Sequence, residues 1–253
     1  MIRCVQKSVV PYAAATLSVA TTRGYAAAFS LALAAMLATG LPAQESLNVP
    51  PTGFTALFNG KDLQGWRGLI EIKKRRALQG DALTKAQAEA DEKMRAHWTV
   101  KDGILVFDGK GENLCSAKDY GNFELLVDWK IEKAGDSGIY VRGTPQIQIW
   151  DTEHEPYFKL GAEKGSGSLW NNQKHARFPD VKADNPVGQW NTFHVKMVGE
   201  KVTVKLNNKV VVNDVVLENY WERDKPVYET GPIELQNHGN TLYFRNIFVK
   251  ELP

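Results

Sequence analysis

Along Phe123–Ile131 every second residue is apolar: Phe123, Leu125, Val127, Trp129 and Ile131 alternate with Glu124, Leu126, Asp128 and Lys130. A side-chain period of two fits a half-buried strand and no helix, because helical faces recur every ~3.6 residues. The same alternation returns in Val202, Val204 and Leu206, after which Asn207-Asn208 turns the chain into Val210–Val212. Asparagine tolerates the positive φ that tight hairpins need, and Gly199-Glu200 makes the same kind of link one strand earlier. Further runs lie at Phe54–Phe58, Trp98–Val100, Ile104–Phe107, Ile139–Arg142, Gln146–Trp150, Phe193–Val198, Ile233–Gln236 and Leu242–Lys250. Roughly a dozen short strands without strand–helix alternation predict an all-β chain, folded as a two-sheet antiparallel sandwich.

One stretch breaks the pattern. Within Arg67–His97, Thr84 and Gln87 have capping-box spacing, and Glu89/Lys93 and Asp91/Arg95 are helical i,i+4 pairs. Its apolar content is mostly alanine, with Met94 near the end. The expectation is a short helical insertion, residues 67–97, lying on the surface as a solvated helix.

The N-terminus has the layout of a secretory signal. Arg23 precedes the charge-free run Tyr25–Leu37, and Leu41-Pro42-Ala43 follows it. The run is shorter than the ~20 residues of a membrane span. Residues 1–43 are therefore expected to be removed, leaving 44–253 as one exported sandwich domain, periplasmic or extracellular, with no stable membrane insertion. Arg3, Lys7 and Arg23 would leave with the segment, so the formal charge of +2 becomes 28 basic against 29 acidic side chains. Such a chain carries no electrostatic footprint for nucleic acid. Cys4 would leave too, and a lone Cys115 excludes internal disulfides and cysteine zinc clusters.

Three strands carry an unusual outward face. Tyr140 and Arg142 oppose Ile139 and Val141; Gln146, Gln148 and Trp150 oppose Ile147 and Ile149; Glu234, Gln236 and His238 form a third set. Amides, rings and an imidazole offer fixed donors, acceptors and flat surfaces, which suit the hydroxyls and apolar faces of sugars. The seven tryptophans fit the same use. Gly135-Asp136-Ser137-Gly138 leads into the first of these strands, and a loop with Trp170 and Asn171 follows the second. Asp151, Glu153 and Glu155 crowd around His154, an oxygen-rich set able to hold one divalent cation.

Several chemistries are excluded by their missing motifs. The chain has no G-x-S-x-G elbow, P-loop or dinucleotide fingerprint. The Glu-x-Asp-x-x-Glu strand of laminarinase-type glycosidases, whose carboxylates supply nucleophile and acid, is also absent.

Seven motifs occur in order: Gly53-Phe-Thr-Ala-Leu-Phe-Asn-Gly-Lys-Asp-Leu-Gln-Gly-Trp66, Trp98-Thr-Val-Lys-Asp-Gly-Ile-Leu105, Asp119-Tyr-Gly-Asn-Phe-Glu-Leu125, Asp136-Ser-Gly-Ile-Tyr-Val-Arg142, Gln146-Ile-Gln-Ile-Trp-Asp151, Gly188-Gln-Trp-Asn-Thr192 and Gly231-Pro-Ile-Glu-Leu-Gln-Asn-His-Gly239. Together they resemble the 3-keto-disaccharide hydrolase domain family over essentially all of Gly53–Leu252. The resemblance implies a concanavalin A-like jelly-roll sandwich, export, and action on 3-keto-glycosides. Family members often carry Glu where this chain has Gln146.

The implied chemistry explains the missing carboxylate pair. A ketone at C3 acidifies the C2 hydrogen. A base removes it, the C1 substituent leaves by β-elimination, and water adds back. The site then needs a base near C2, a donor or cation at the ketone oxygen and an acid at the leaving oxygen. The expected roles are His238 as base or metal ligand and Arg142 at the enolate oxygen, with Asp151 or Glu234 as a second acid/base. Tyr140, Gln146, Gln148, Gln236 and Asn171 would bind hydroxyls, Trp150 and Trp170 would stack, and His238, Asp151 and Glu153 would hold any metal. The alternative is a non-catalytic, lectin-like module that binds an oligosaccharide or glycoside through the same face.

Overall fold

The computed structural model describes residues 47–253; the expected signal segment lies outside them. Strands and helices follow in the order β1 (Thr55–Ala56), β2 (Trp66–Gly68), α1 (Ile72–Ala77), α2 (Gly80–Arg95), β3 (Trp98–Lys101), β4 (Ile104–Asp108), β5 (Leu114–Ser116), β6 (Phe123–Ile131), β7 (Asp136–Val141), β8 (Thr144–Trp150), β9 (Asn191–Val198), β10 (Lys201–Leu206), β11 (Lys209–Val216), β12 (Glu234–Leu235) and β13 (Thr241–Glu251). One sheet has eight strands, β11-β10-β9-β6-β13-β4-β3 with β1 also on β13; the other has five, β2-β5-β12-β7-β8. All pairings are antiparallel. The expected all-β sandwich forms, and no helix among the described residues is long and apolar enough to cross a membrane.

The alternation does what its period requires. Phe123, Leu125, Val127, Trp129 and Ile131 all enter the core and meet Ile139, Val141, Ile147 and Ile149 from the other sheet. Asn207 and Asn208 both adopt positive φ, +49° and +67°, as a two-residue hairpin demands. The strand expected at Ile233–Gln236 is shorter, Glu234–Leu235, and the one at Val210–Val212 longer, Lys209–Val216.

The helical insertion differs from its expectation. Helix α2 starts at Gly80, so Thr84 lies inside it and its hydroxyl bonds back to the Gly80 carbonyl at 3.2 Å instead of capping. Nor is α2 merely solvated. It packs on β2 and reaches β3, the edge strands of the two sheets. Met94 is fully buried in the common core. Gly68 permits the approach: a Cβ there would stand 2.1 Å from the Ala90 carbonyl oxygen, while Asp91 accepts the Gly68 N–H at 2.8 Å. The insertion thus closes one open edge of the sandwich, because two edge strands with apolar surface between them need a cover.

Gly68→Ala is expected to cost ~1–3 kcal/mol by forced displacement, and Met94→Ala ~2–5 kcal/mol by cavity formation. Urea melts of both variants check this, and unchanged midpoints would show that α2 does not close the core.

Candidate active site

The five-stranded sheet turns one face away from the core, and its register aligns that face. Arg67 stands opposite Cys115, Cys115 opposite Glu234, Glu234 opposite Tyr140 and Tyr140 opposite Gln146. One row therefore crosses all five strands. In the next row Gly138 pairs with Gln148, and the Gln236 N–H donates to the Gly138 carbonyl at 2.9 Å. In the third, Asp136 pairs with Trp150.

Gly138 is the gap in this floor. A Cβ there would meet the Gln146 side chain at 2.9 Å, so its absence leaves room for a chain of amides. Gln146 Nε2 donates to Gln148 Oε1, and Gln148 Nε2 donates to Asp136 Oδ1 at 2.7 Å. The other oxygen, Asp136 Oδ2, lies 3.5 Å from His238 Nδ1. Burial pushes the Asp136 carboxyl up, opposed by His238 and by the Gln148 hydrogen bond. The His238 side chain itself is 55% exposed, at the rim of this floor.

At the opposite end Glu234 is only 4% exposed. Among the described residues its carboxyl has one hydrogen-bond partner, Asn113 Nδ2 at 3.5 Å. Burial without a contacting cation raises it from 4.5 to about 7. Tyr140 lies beside it in register, and burial, reinforced by Glu234, holds the phenol far above its ordinary value. Gln236 Nε2 donates to the Tyr140 oxygen at 3.4 Å, leaving the phenolic proton free to be donated. Cys115 completes the row as an inert thiol, pushed up to about 12 by burial.

The walls come from distant segments. Ile72 at the start of α1 converges with Glu234 on Gly143: a Cβ there would lie 2.9 Å from Ile72 Cδ1 and 3.4 Å from Glu234 Oε1. Trp221 Nε1 donates to the Gly143 carbonyl at 2.9 Å, and Lys73 Nζ donates to the Trp221 carbonyl at 2.9 Å. Tyr220 and Trp221 pack edge to face, ring centroids 4.9 Å apart, and both stay exposed. Among the described residues, buried oxygens without partners are Gln236 Oε1, Ser168 Oγ and Asn171 Oδ1. A buried polar atom left unpaired is costly, and a ligand's hydroxyls would relieve that cost.

Tyr140, Gln146, Gln148, Glu234, Gln236 and His238 thus share the expected face, but other expectations are corrected. Arg142 leaves β7 in a left-handed turn, φ +55°. Its guanidinium donates to Gly121 O at 2.8 Å, Tyr228 O at 3.3 Å and Asn122 Oδ1 at 3.0 Å. Those bonds clamp the start of β6 to the segment before β12, so Arg142 is structural and no enolate binder.

Asp151 is likewise occupied, accepting the N–H groups of Ala134 at 2.8 Å and Glu153 at 2.9 Å. Glu153 stays exposed, and His238 faces Asp136 instead. Among the described residues no three metal-capable side chains come together, so the proposed ligand set does not form.

Trp150 is buried, its indole N–H donating to Gly165 O at 3.0 Å. Trp170 packs edge to face on Trp150, with centroids 5.2 Å apart, and carries the Arg177 guanidinium 3.5 Å from its ring centre. Both rings serve as wall more than as open stacking platforms. The sequence reading missed Tyr220, Trp221 and the role of Asp136; for Asp136 the signal was its even spacing from Gly138 and Tyr140.

A family model described as a 3-keto-alpha-glucoside-1,2-lyase-like domain matches residues 53–250. The 3-keto-disaccharide hydrolase of Bacteroides thetaiotaomicron is 26% identical over 263 aligned residues, spanning 82% of each chain. Two crystal structures of candidate glycosyl hydrolases from Parabacteroides distasonis are also similar. One is 25% identical with a TM-score of 0.59, covering 82% of this chain and 100% of that one. The second is 26% identical with a TM-score of 0.52, covering 62% and 91%.

Proposed function

The chain belongs to the 3-keto-alpha-glucoside-1,2-lyase-like domain family, and on that premise we propose that it is an exported enzyme that cleaves 3-keto-glycosides by elimination and water addition. The observation that carries the reading is Glu234, a buried carboxyl raised to about 7 and registered against a neutral Tyr140. A base poised near neutrality beside a phenol donor is what enolate formation requires.

Each step then has a residue. Glu234 takes the C2 proton while Tyr140 donates to the 3-oxo oxygen, where the electrons of the broken C2–H bond collect. The enolate collapses, the C1–O bond breaks, and the leaving oxygen takes a proton from His238, whose ring lies 3.5 Å from Asp136. Water adds to the resulting enone through the same groups, so the net result is hydrolysis. The C2 hydrogen and the leaving oxygen belong to adjacent carbons of one sugar, so this mechanism requires the Glu234 carboxyl and the His238 ring to converge on the same glycosidic linkage. Gln146, Gln148, Gln236, Ser168 and Asn171 supply hydroxyl partners. A lectin-like module is disfavoured because binding alone needs no carboxyl held near neutrality.

Incubation with paired disaccharides tests the reading. The 3-keto form is expected to be cleaved and the unoxidised form left intact; equal turnover of both would overturn the mechanism.

A further inference from the structure

Beyond Trp170 the surface opens into a cavity of about 310 Å³, lined by Phe158, Leu160, Trp170, Phe178, Lys164 and Arg177. Its volume is at the low end of ligand sites, ~300–1,000 Å³, and suits one ring. Three cations line it, Lys159, Lys164 and Arg177, against one carboxylate, Glu163.

Two of them, Lys164 and Arg177, sit on aromatic faces instead of pairing with acids. Lys164 Nζ stands 3.8 Å from the Phe178 ring centre, and Arg177 spreads over Trp170 at 3.5 Å and Phe178 at 5.2 Å. Arg177 Nε is buried and has no hydrogen-bond partner among the described residues. Burial draws the guanidinium below its ordinary value, with no opposing carboxylate. A guanidinium stacked by its face keeps its N–H edge for a planar anion.

The cavity also adjoins the site. Trp170 packs on Trp150, Trp150 is registered against Asp136, and Asp136 faces His238. In the reading above, that is the end where the leaving group departs.

We propose that this cavity binds an anionic group, carboxylate or sulfate, borne by a flat or apolar-faced ring in the leaving group of the substrate. The position relies on the proposed mechanism; anion binding does not, so the two can fail separately.

The test is calorimetric titration of the full chain, at low salt, with glucuronate, 4-hydroxybenzoate and glucose. Both anions are expected to bind and glucose to give no heat, with binding weakened in high salt. Binding by glucuronate alone would assign the leaving group as an acidic sugar, and by 4-hydroxybenzoate alone as an aromatic acid. Arg177→Met is expected to weaken anion binding ~10-fold or more, with Arg177→Lys intermediate. Lys164 is exposed, so Lys164→Met keeps the fold and is expected to weaken anion binding as well. Glucose binding as tightly as the anions, or anion affinity unchanged in both methionine variants, would overturn the proposal. Glu234→Gln should bind the anions like the wild type, so a failure of the catalytic assignment would be visible separately.

Discussion

Glu234→Gln is expected to lower kcat/KM on a 3-keto-disaccharide by ~10²–10⁴, the usual cost of removing a general base, and to raise the melting temperature above neutral pH. The two effects have one cause. In the folded chain this carboxyl holds its proton up to about pH 7, against an ordinary value of 4.5. Protonation therefore favours folding below about 4.5, and that contribution disappears as pH rises through 7. Above it the fold carries a buried charge whose nearest donor is one amide at 3.5 Å. Glutamine keeps the shape without the charge, which is worth ~3 kcal/mol at pH 8, or roughly 6–12 °C in a chain of this size. The wild-type rate should fall about tenfold per pH unit below 7 as the base is protonated. Melting curves at pH 5 and pH 8, with rates across the same range, check both arms. Full activity of the variant would remove Glu234 from the mechanism.

His238→Ala is expected to abolish cleavage to a similar degree, ~10²–10⁴, but at a different step. If Glu234 takes the C2 proton, the variant should still exchange that hydrogen for deuterium from solvent while failing to expel the leaving group. Glu234→Gln should lose exchange and cleavage together. Asp136→Asn keeps an acceptor near Nδ1 but removes the charge, and also disturbs the amide chain from Gln148. Its expected signature is a shifted pH profile with a smaller loss in rate. NMR of the C2 position in D₂O separates the cases. Loss of exchange in His238→Ala would make the imidazole the base, and full cleavage would remove it from the site.

The retained exchange expected of His238→Ala depends on a distinction visible only in three dimensions. By sequence, Glu234 and His238 are equivalent members of one outward set. In the fold one lies beneath Ile72 and the segment carrying Trp221, and the other stands at the rim. In the mechanism proposed above, that difference in burial makes Glu234 the base and His238 the acid, where the sequence reading expected His238 as the base.

By itself the sequence determined which side chains share a face. The period of two in Phe123–Ile131, Ile139–Val141 and Gln146–Trp150 leaves a strand no other choice once its apolar set is buried, and Asn207-Asn208 could turn because asparagine accepts left-handed backbone. Tyr140, Gln146, Gln148, Glu234 and Gln236 were therefore legible as one polar surface. Tertiary structure decided the rest. Register between strands far apart in sequence brought Asp136 to His238 and Glu234 to Tyr140. A reversal of φ one residue past the strand took Arg142 off the face and into carbonyls near Gly121 and Tyr228. The absence of a Cβ at Gly68 let α2 close the sandwich edge instead of lying in solvent. Alternation is a local property, set by the pleat of one strand; register, cover and burial depend on what the remainder of the chain places alongside, and it is burial that gives Glu234 its proton near neutral pH.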